Sequence, residues 1–265
     1  MNPELEHSLQ QACQEYYGEL QVIVVRKRCI RNASYGTNNY MILDSPSNRF
    51  RAIKDALFFC NGDYTFLLDV DQYPENDLLR EIMEQSCDAI IIPERTLNCN
   101  SFIGKLLDQN REFMEKLQMS KNDPEIPAVP RVYRTLIIKK AFQNIDSNTL
   151  DSIIQHEDSI IYFELSDQID SLFIAKHTLF NNDPGIIEYM KKSMNYGLNI
   201  GCINPRLIPM RYAVLLQKLD RDRFSLILQH KGYLAFFATF LKGVPYTFGF
   251  MAGRISRILR DGAFT

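Results

Sequence analysis

The sequence has no uninterrupted apolar run of about 18 residues, the length that a membrane-spanning helix requires. The nearest approach, residues 233–251, is interrupted by Lys242, Gly243 and Pro245. The N-terminal residues 1–18 are acidic and amide-rich, whereas a signal peptide needs a basic start and an apolar run. We therefore expect no spanning helix and no secretion.

The sequence also lacks the cysteine spacing typical of metal sites, and its net charge is not strongly positive or negative. Its six cysteines form no C-x-x-C pair and no cluster, so they indicate neither a zinc site nor a disulfide framework. The formal net charge of -2 gives no reason to attract nucleic acid. With 46% hydrophobic residues, the chain is predicted to be globular, of one or two domains, and cytoplasmic.

Apolar strand-like runs alternate with helix-like segments, which predicts a mostly parallel sheet flanked by helices. The predicted strands are residues 20–25, 40–43, 64–68, 89–92 and 132–139. The predicted helices are residues 4–16, 49–60, 78–84, 102–117 and 186–196, the last ended by Gly197. Residues 120–130 contain three prolines and are predicted to be a loop between two halves.

Two carboxylates follow an apolar strand in the segment LLDVDQY. If this segment is extended, Asp69 and Asp71 point to one side and can share a hard cation such as Mg²⁺ or Mn²⁺. Such a metal also binds phosphate oxygens, so the ligand that we expect beside it is a diphosphate. The alternative is an ordinary turn in which Asp71 caps a helix that begins near Pro74.

A second acidic pair, Glu157 and Asp158, lies in the segment QHED beside the apolar run SIIYFEL. Carboxylates of this kind can serve as a general base. Acidic residues also commonly occupy the first turn of a helix, where they offset its dipole. Both interpretations stay open from the residues alone.

The stretch RFRAIKDALFFCNGDYTFLLDVDQYPENDLLREI, residues 49–82, resembles family 2 glycosyltransferases. It is similar to their run of a helix, a Gly-Asp-Tyr turn, a strand ending in D-x-D and a helix started by proline. The segments AIIIPERT (89–96), PRVYR (130–134) and HED (156–158) follow in the family's order. The resemblance runs from about residue 4 to residue 200.

The resemblance implies a GT-A, Rossmann-type domain over residues 1–200, with a nucleotide-sugar half (1–125) and an acceptor half (126–200). Residues 201–265 would be a helical C-terminal region. The implied reaction is inverting transfer of a sugar from a nucleoside diphosphate to a glycan or lipid-linked acceptor.

The resemblance also assigns roles to the candidate residues. Asp69 and Asp71 would hold Mg²⁺ or Mn²⁺ against the donor diphosphate. Asp158 would take the proton of the acceptor hydroxyl, with Glu157 orienting it or contacting acceptor. Charge, and not the resemblance, suggests a role for Arg26: it begins a basic run that can contact donor phosphate or an anionic lipid head group, although such a run is more often a solvated loop.

Two rival functions remain. The family's first strand has no counterpart here, and Arg26 begins a basic run where the family has an Asp pair, which favours a degenerate relative. Such a protein would bind a glycan or a partner without catalysis. A nucleotidyltransferase is disfavoured because no Gly-rich phosphate loop is present.

The C-terminal segment 233–250 combines aromatic residues with few charges, and Arg254, Arg257 and Arg260 follow it at helical spacing. This pattern would suit a peripheral membrane contact at the inner face of the membrane. We favour the alternative, a helix pair that packs on its own domain or on a second subunit.

Overall fold

The structure, a computed structural model, describes residues 20–27, 32–35, 40–45, 48–97, 99–119, 129–153, 156–202, 208–212, 214–215 and 233–262. The predicted helix at residues 4–16 lies outside these ranges. The chain is a mixed α/β protein that divides into two compact units. Unit 1 comprises residues 1–93, 129–151 and 157–180, and unit 2 comprises residues 94–128, 152–156 and 181–265.

The strands are β1 (Val22–Lys27), β2 (Asn32–Tyr35), β3 (Tyr40–Ser45), β4 (Tyr64–Phe66), β5 (Gln72–Pro74), β6 (Ala89–Ile91), β7 (Glu94–Thr96), β8 (Val132–Arg134), β9 (Leu172–Ile174) and β10 (Leu179–Asn181). The helices are α1 (Arg49–Leu57), α2 (Leu78–Glu84), α3 (Phe102–Met119), α4 (Thr135–Asn144), α5 (Ser147–Ser152), α6 (Glu157–Leu165), α7 (Ile186–Cys202) and α8 (Tyr233–Gly262). A 3-10 turn at Ser166–Gln168 follows α6.

Unit 1 contains two small sheets of mixed direction. In the first, β1 pairs parallel to β3, and β2 pairs antiparallel to β3. In the second, the strand order is β4-β8-β6-β9, with β8 antiparallel to both neighbours and β9 parallel to β6. The sheets are therefore mixed, whereas the strand and helix alternation predicts mostly parallel pairing. The connection from β6 to β8 is long enough for β8 to run parallel or antiparallel to β6. The alternation of strands and helices therefore does not determine the direction of β8.

One hydrophobic cluster of unit 1 lies between α2 and the four-stranded sheet. Leu78 and Ile82 of α2 pack against Ile90 of β6 and Val132 of β8, and all four side chains are buried. Each fully buried aliphatic side chain of this kind contributes about 1.5 to 3 kcal/mol. This packing fixes the end of β4 relative to β8, which matters for the site described below.

The predicted strand at residues 132–139 is wrong in its second half. The strand ends at Arg134 and α4 begins at Thr135, whose backbone N–H donates to the carbonyl of Asp63 at 2.8 Å. Ile138, Ala141 and Phe142 are buried at helical spacing. This one-sided burial stabilises a helix, although LIIKK alone also suits a strand.

In unit 2, α7 and α8 pack through paired glycines. A Cβ on Gly197 would overlap the carbonyl oxygen of Tyr246, and it would come within 2.8 Å of the Phe250 nitrogen. Gly201 of α7 and Gly249 and Gly253 of α8 meet the facing backbone in the same way. Small residues at such positions let two helix backbones approach closely.

Gly197 therefore does not end the helix, which continues to Cys202. The prediction of a helix end at Gly197 is wrong because this glycine provides close packing rather than a C-cap. Helix α3 adds to the same unit, where Ile103, Leu106 and Leu107 cluster with Ala238 of α8. In the described part of the chain, no helix combines the length and the apolar character needed to cross a membrane.

The glycine packing predicts opposite effects for two Gly→Ala changes inside helices. Gly197→Ala should lower the free energy of unfolding by about 1 to 3 kcal/mol, because its new methyl group overpacks the contact with α8. Gly243→Ala meets no atom within 4 Å and should raise it by about 0.5 to 1 kcal/mol through helix propensity. Urea unfolding of both variants checks this, and equal effects would contradict the packing role.

Candidate functional site

Arg49, at the start of α1, connects three of the predicted carboxylates. Its Nε donates to Asp69 Oδ1 at 2.8 Å, and its Nη1 donates to Asp158 Oδ1 at 3.1 Å. The same Nη1 makes a short contact with Glu157 Oε1. The D-x-D segment and the Glu-Asp pair, distant in sequence, therefore meet around one guanidinium group.

Arg131 adds a second positive charge to this cluster. Its Nη1 donates to Asp158 Oδ2 at 3.2 Å and lies 3.7 Å from Asp69 Oδ2. Both oxygens of Asp69, and both oxygens of Asp158, thus face a guanidinium group. We call these five residues, Arg49, Asp69, Arg131, Glu157 and Asp158, the ion-pair cluster, and all of them belong to unit 1.

The sheet brings Asp69 and Arg131 to the same edge. Because β8 runs antiparallel to β4, the start of β8 lies beside the end of β4. The backbone N–H of Leu67 donates to the carbonyl of Arg131 at 2.8 Å, which extends this pairing toward Asp69. Ligands of α/β proteins commonly bind at the carboxyl ends of strands, and the cluster lies at the carboxyl end of β4.

The start of α1 is anchored so that Arg49 reaches the cluster. The side chain of Asn48 caps the helix by accepting from the backbone N–H of Arg51 at 2.9 Å. Its amide also donates to the carbonyl of Leu150 at 2.8 Å, and Arg51 pairs with Asp151 at 2.8 Å. These contacts join α1 to α5, which precedes the Glu-Asp pair in the chain.

Glu157 and Asp158 form the first turn of α6, as the helix-start interpretation of QHED predicts. Acidic side chains are stabilised there by the positive end of the helix dipole. The preceding residue, His156, has φ 65°, a left-handed conformation that is uncommon for a residue other than glycine. Glu157 and Asp158 therefore both begin a helix and belong to the ion-pair cluster, so the two interpretations of this acidic pair are compatible.

The D-x-D segment is a turn and not an extended strand. Strand β4 ends at Phe66, and the backbone N–H of Gln72 donates to the carbonyl of Asp69 at 3.1 Å. The Gln72 side chain closes the turn by accepting from the Asp69 N–H at 3.0 Å. The prediction that strand geometry points Asp69 and Asp71 to one side is therefore wrong. The predicted cap by Asp71 is also wrong, because α2 begins at Leu78 with Asp77 as its N-cap.

Charges and burial set the protonation of the cluster. Burial alone lowers the pKa of Arg49, but the negative charges of Asp158, Asp69 and Glu157 outweigh it, and the pKa is raised. Burial raises the pKa of Glu157, and the charge of Asp158 adds to this rise while Arg49 opposes it. The raised pKa means that Glu157 holds its proton more tightly than an ordinary glutamic acid does.

Tyr133 lies on β8 beneath the cluster and is fully buried. Within the described residues, its hydroxyl group has no hydrogen-bond partner. Burial, followed by the nearby charge of Asp158, raises the pKa of this hydroxyl well above its ordinary value. Buried hydroxyl groups of this kind usually hydrogen-bond to protein or to ordered water.

The metal predicted at Asp69 and Asp71 can be compared with the donors that are present. Carboxylate oxygens are the right type for Mg²⁺ or Mn²⁺. Both oxygens of Asp69, however, face guanidinium groups, which now supply the positive charge between the carboxylates. Over the described ranges, no group of three or more His, Cys, Asp or Glu side chains is arranged to hold a metal ion.

The remaining predicted residue, Arg26, lies in β1 opposite Asp44 of β3. Its side chain is outside the described part of the chain. Asp183, in the segment NND, belongs to unit 2 and forms a two-pronged ion pair with Arg111 at 2.6 and 2.7 Å. Thr96 also donates to Asp183, so this second cluster is satisfied internally.

Comparison with known proteins adds no family: neither protein-family models nor curated proteins match this chain. The chemistry of the ion-pair cluster is therefore what bears on function.

Sequence reasoning missed the two arginines that assemble the cluster. Arg49 opens the stretch that resembles the glycosyltransferase run, and Arg131 lies in PRVYR. Arg49 begins a predicted helix and Arg131 immediately precedes a predicted strand, but nothing local distinguishes either residue from a surface arginine.

Removal of the Arg49 guanidinium tests the cohesion of the cluster. Arg49→Gln leaves Glu157 buried without its cation and should lower the free energy of unfolding by about 2 kcal/mol. Arg80→Gln is the control, because the Arg80–Asp77 pair is solvent-exposed and contributes about 0.5 kcal/mol or less. Urea unfolding measures both, and losses of equal size would contradict a cohesive cluster.

The raised pKa of Glu157 predicts a pH dependence of stability. In the folded protein Glu157 retains its proton above its ordinary pKa of 4.5, where the unfolded chain has released it. Its contribution is therefore full below that pH and is lost as pH rises through the folded-state pKa. As pH rises from 4.5 through the folded-state pKa of Glu157, the wild type should lose stability relative to Glu157→Gln. The loss should be about 1.4 kcal/mol for each unit by which folding raises that pKa. Parallel pH profiles in urea unfolding would argue against the assignment.

Proposed function

We propose that this chain is a glycosyltransferase of the GT-A type that transfers a sugar, with inversion, from a nucleoside diphosphate to a hydroxyl acceptor. The observation that carries the proposal is the meeting of Asp69, Glu157 and Asp158 around Arg49. The resemblance of residues 49–82 and 156–158 to family 2 enzymes assigns chemistry to the same carboxylates. Both observations support a role for Asp69, Glu157 and Asp158.

The exposure of the two neighbouring acids supports their division of roles. The Asp158 side chain is 23% exposed, whereas that of Glu157 is 8% exposed. An acceptor hydroxyl can reach Asp158, which would remove its proton as the oxygen attacks the anomeric carbon. Glu157, held by Arg49, would fix the first turn of α6 and orient Asp158.

The arginines are suited to the donor diphosphate. Three carboxylates against two guanidinium groups give the ionised cluster a net negative charge, which repels a diphosphate. Binding therefore requires further positive charge, which a bound metal ion would supply, and guanidinium groups bind phosphate oxygens in two-pronged geometry. Arg49 and Arg131 would shift from the carboxylates toward the diphosphate and leave Asp158 less strongly paired.

Asp69 and Asp71 would hold Mg²⁺ or Mn²⁺, which would neutralise charge on the leaving diphosphate. Arg26, at the end of β1, would contact donor phosphate. The acceptor would be a glycan or a lipid-linked saccharide, met in the cytoplasm or at the inner face of the membrane.

A degenerate GT-A-like protein is the second candidate, and one observation favours it. Arg49 and Arg131 already satisfy the carboxylates, as a purely structural ion-pair cluster would. In that case the protein would bind a glycan or a partner without turning over a nucleotide sugar.

Calorimetric titration with UDP and GDP, with and without Mn²⁺, distinguishes the two functions. The wild type should bind one of the nucleotides, more tightly with Mn²⁺, and the double variant Asp69→Ala, Asp71→Ala should lose the metal dependence. Arg131→Gln should weaken nucleotide binding about tenfold, because a charge-assisted contact is lost. The corresponding nucleoside, which lacks the diphosphate, should bind both proteins equally.

Asp167→Ala, which removes an exposed acid on the 3-10 turn, is the matched control and should bind like the wild type. After a donor is found, Asp158→Asn should retain nucleotide binding but lose sugar transfer. A folded wild type that binds neither nucleotide would refute the enzyme proposal and favour the degenerate protein.

A further inference from the structure

Helix α8 carries a stripe of large apolar side chains that are exposed to solvent. Successive members are three or four residues apart, which keeps them on one face of the helix. The stripe comprises Phe240, Val244, Phe248, Met251, Ile255 and Ile258. From first to last it extends about 27 Å along the helix axis. We call this surface the α8 stripe.

The stripe does not belong to the packing of unit 2. The opposite face of α8 carries the buried residues Pro245, Gly249 and Gly253, and the two glycines pack on α7. The helix thus turns its smallest side chains inward and its largest apolar ones outward. Phe248 and Ile255 are 60% and 58% exposed, values that are unusual for a continuous apolar surface on a soluble fold.

The charges of the helix indicate what covers the stripe. Helix α8 carries four basic residues, Lys242, Arg254, Arg257 and Arg260, and a single acidic one, Asp261, in its last turn. Arg254 is exposed and borders the stripe, since it lies three residues after Met251 and four before Ile258. An apolar stripe bordered by basic residues is complementary to a surface that has an apolar interior and negatively charged groups above it.

We propose that the α8 stripe docks on the surface of a membrane that contains anionic lipid. The helix would lie in the plane of the interface, with its aromatic and aliphatic side chains below the head groups. Arg254 would reach the lipid phosphates from the edge of the stripe. This inference stands on α8 alone and does not depend on the proposed sugar transfer.

A second copy of the chain fits the stripe less well. Helices that pair through an apolar seam usually carry charges of both signs beside it, which form ion pairs between partners. A second α8 would bring four basic residues and only one acid, Asp261, so most of the charges beside the seam would repel one another. Anionic lipid supplies the negative charge of which a second copy has little.

Vesicle flotation of the full chain tests the proposal. The wild type should float with vesicles of phosphatidylcholine and phosphatidylglycerol, and less with phosphatidylcholine alone. The double variant Phe248→Ser, Ile255→Ser should bind about tenfold more weakly or worse, since two apolar side chains no longer enter the interface. Arg254→Glu should lose the preference for phosphatidylglycerol.

Leu136→Ser removes an exposed apolar side chain from α4 in unit 1 and should float like the wild type. Circular dichroism verifies that each variant is folded. Failure of the folded wild type to float with either vesicle would overturn the proposal. A dimer in light scattering that the double serine variant dissociates, without vesicle binding, would assign the stripe to a second copy instead. Equal flotation with both vesicles would overturn the role of anionic lipid.

Discussion

The ion pairs of Arg49 are the interaction on which the candidate site depends. Three carboxylates at the end of β4 and the start of α6 repel one another, and burial makes that repulsion costly. Arg49 contacts all three, and Arg131 contacts the two that are more exposed. The local geometry follows from this requirement: Asn48 caps α1 so that Arg49 points inward, and β8 pairs antiparallel with β4 so that Arg131 lies beside Asp69.

The same requirement connects structure to the proposed chemistry. A site that holds carboxylates with arginines has cations available for an incoming diphosphate, and the carboxylates gain freedom when the arginines re-pair. The constraint in unit 2 is the close packing of glycines between α7 and α8. This packing buries the face of α8 that carries the glycines and leaves the face with the large apolar side chains exposed.

Local patterns were sufficient for many elements. The helix at Leu78–Glu84 matches its prediction from end to end, since its apolar spacing and flanking residues are local signals. The helix end at Gly197 was predicted wrongly because the reason for that glycine lies on another helix. At Asp69 the sequence left an extended segment and a turn open, and the contacts of Gln72 with Asp69 decide for the turn. The arginines of the site escaped prediction because Arg49 and Asp158 are 109 residues apart, and only the fold brings them together.

The central claim is that the ion-pair cluster receives a donor diphosphate. A crystal structure of the protein grown with Mn²⁺ and the nucleoside diphosphate that binds is the most direct measurement. The account predicts the diphosphate within hydrogen-bonding distance of Arg49 and Arg131, with Asp158 open to solvent beside it. A nucleotide bound elsewhere, with the Arg49 ion pairs intact, would contradict the account.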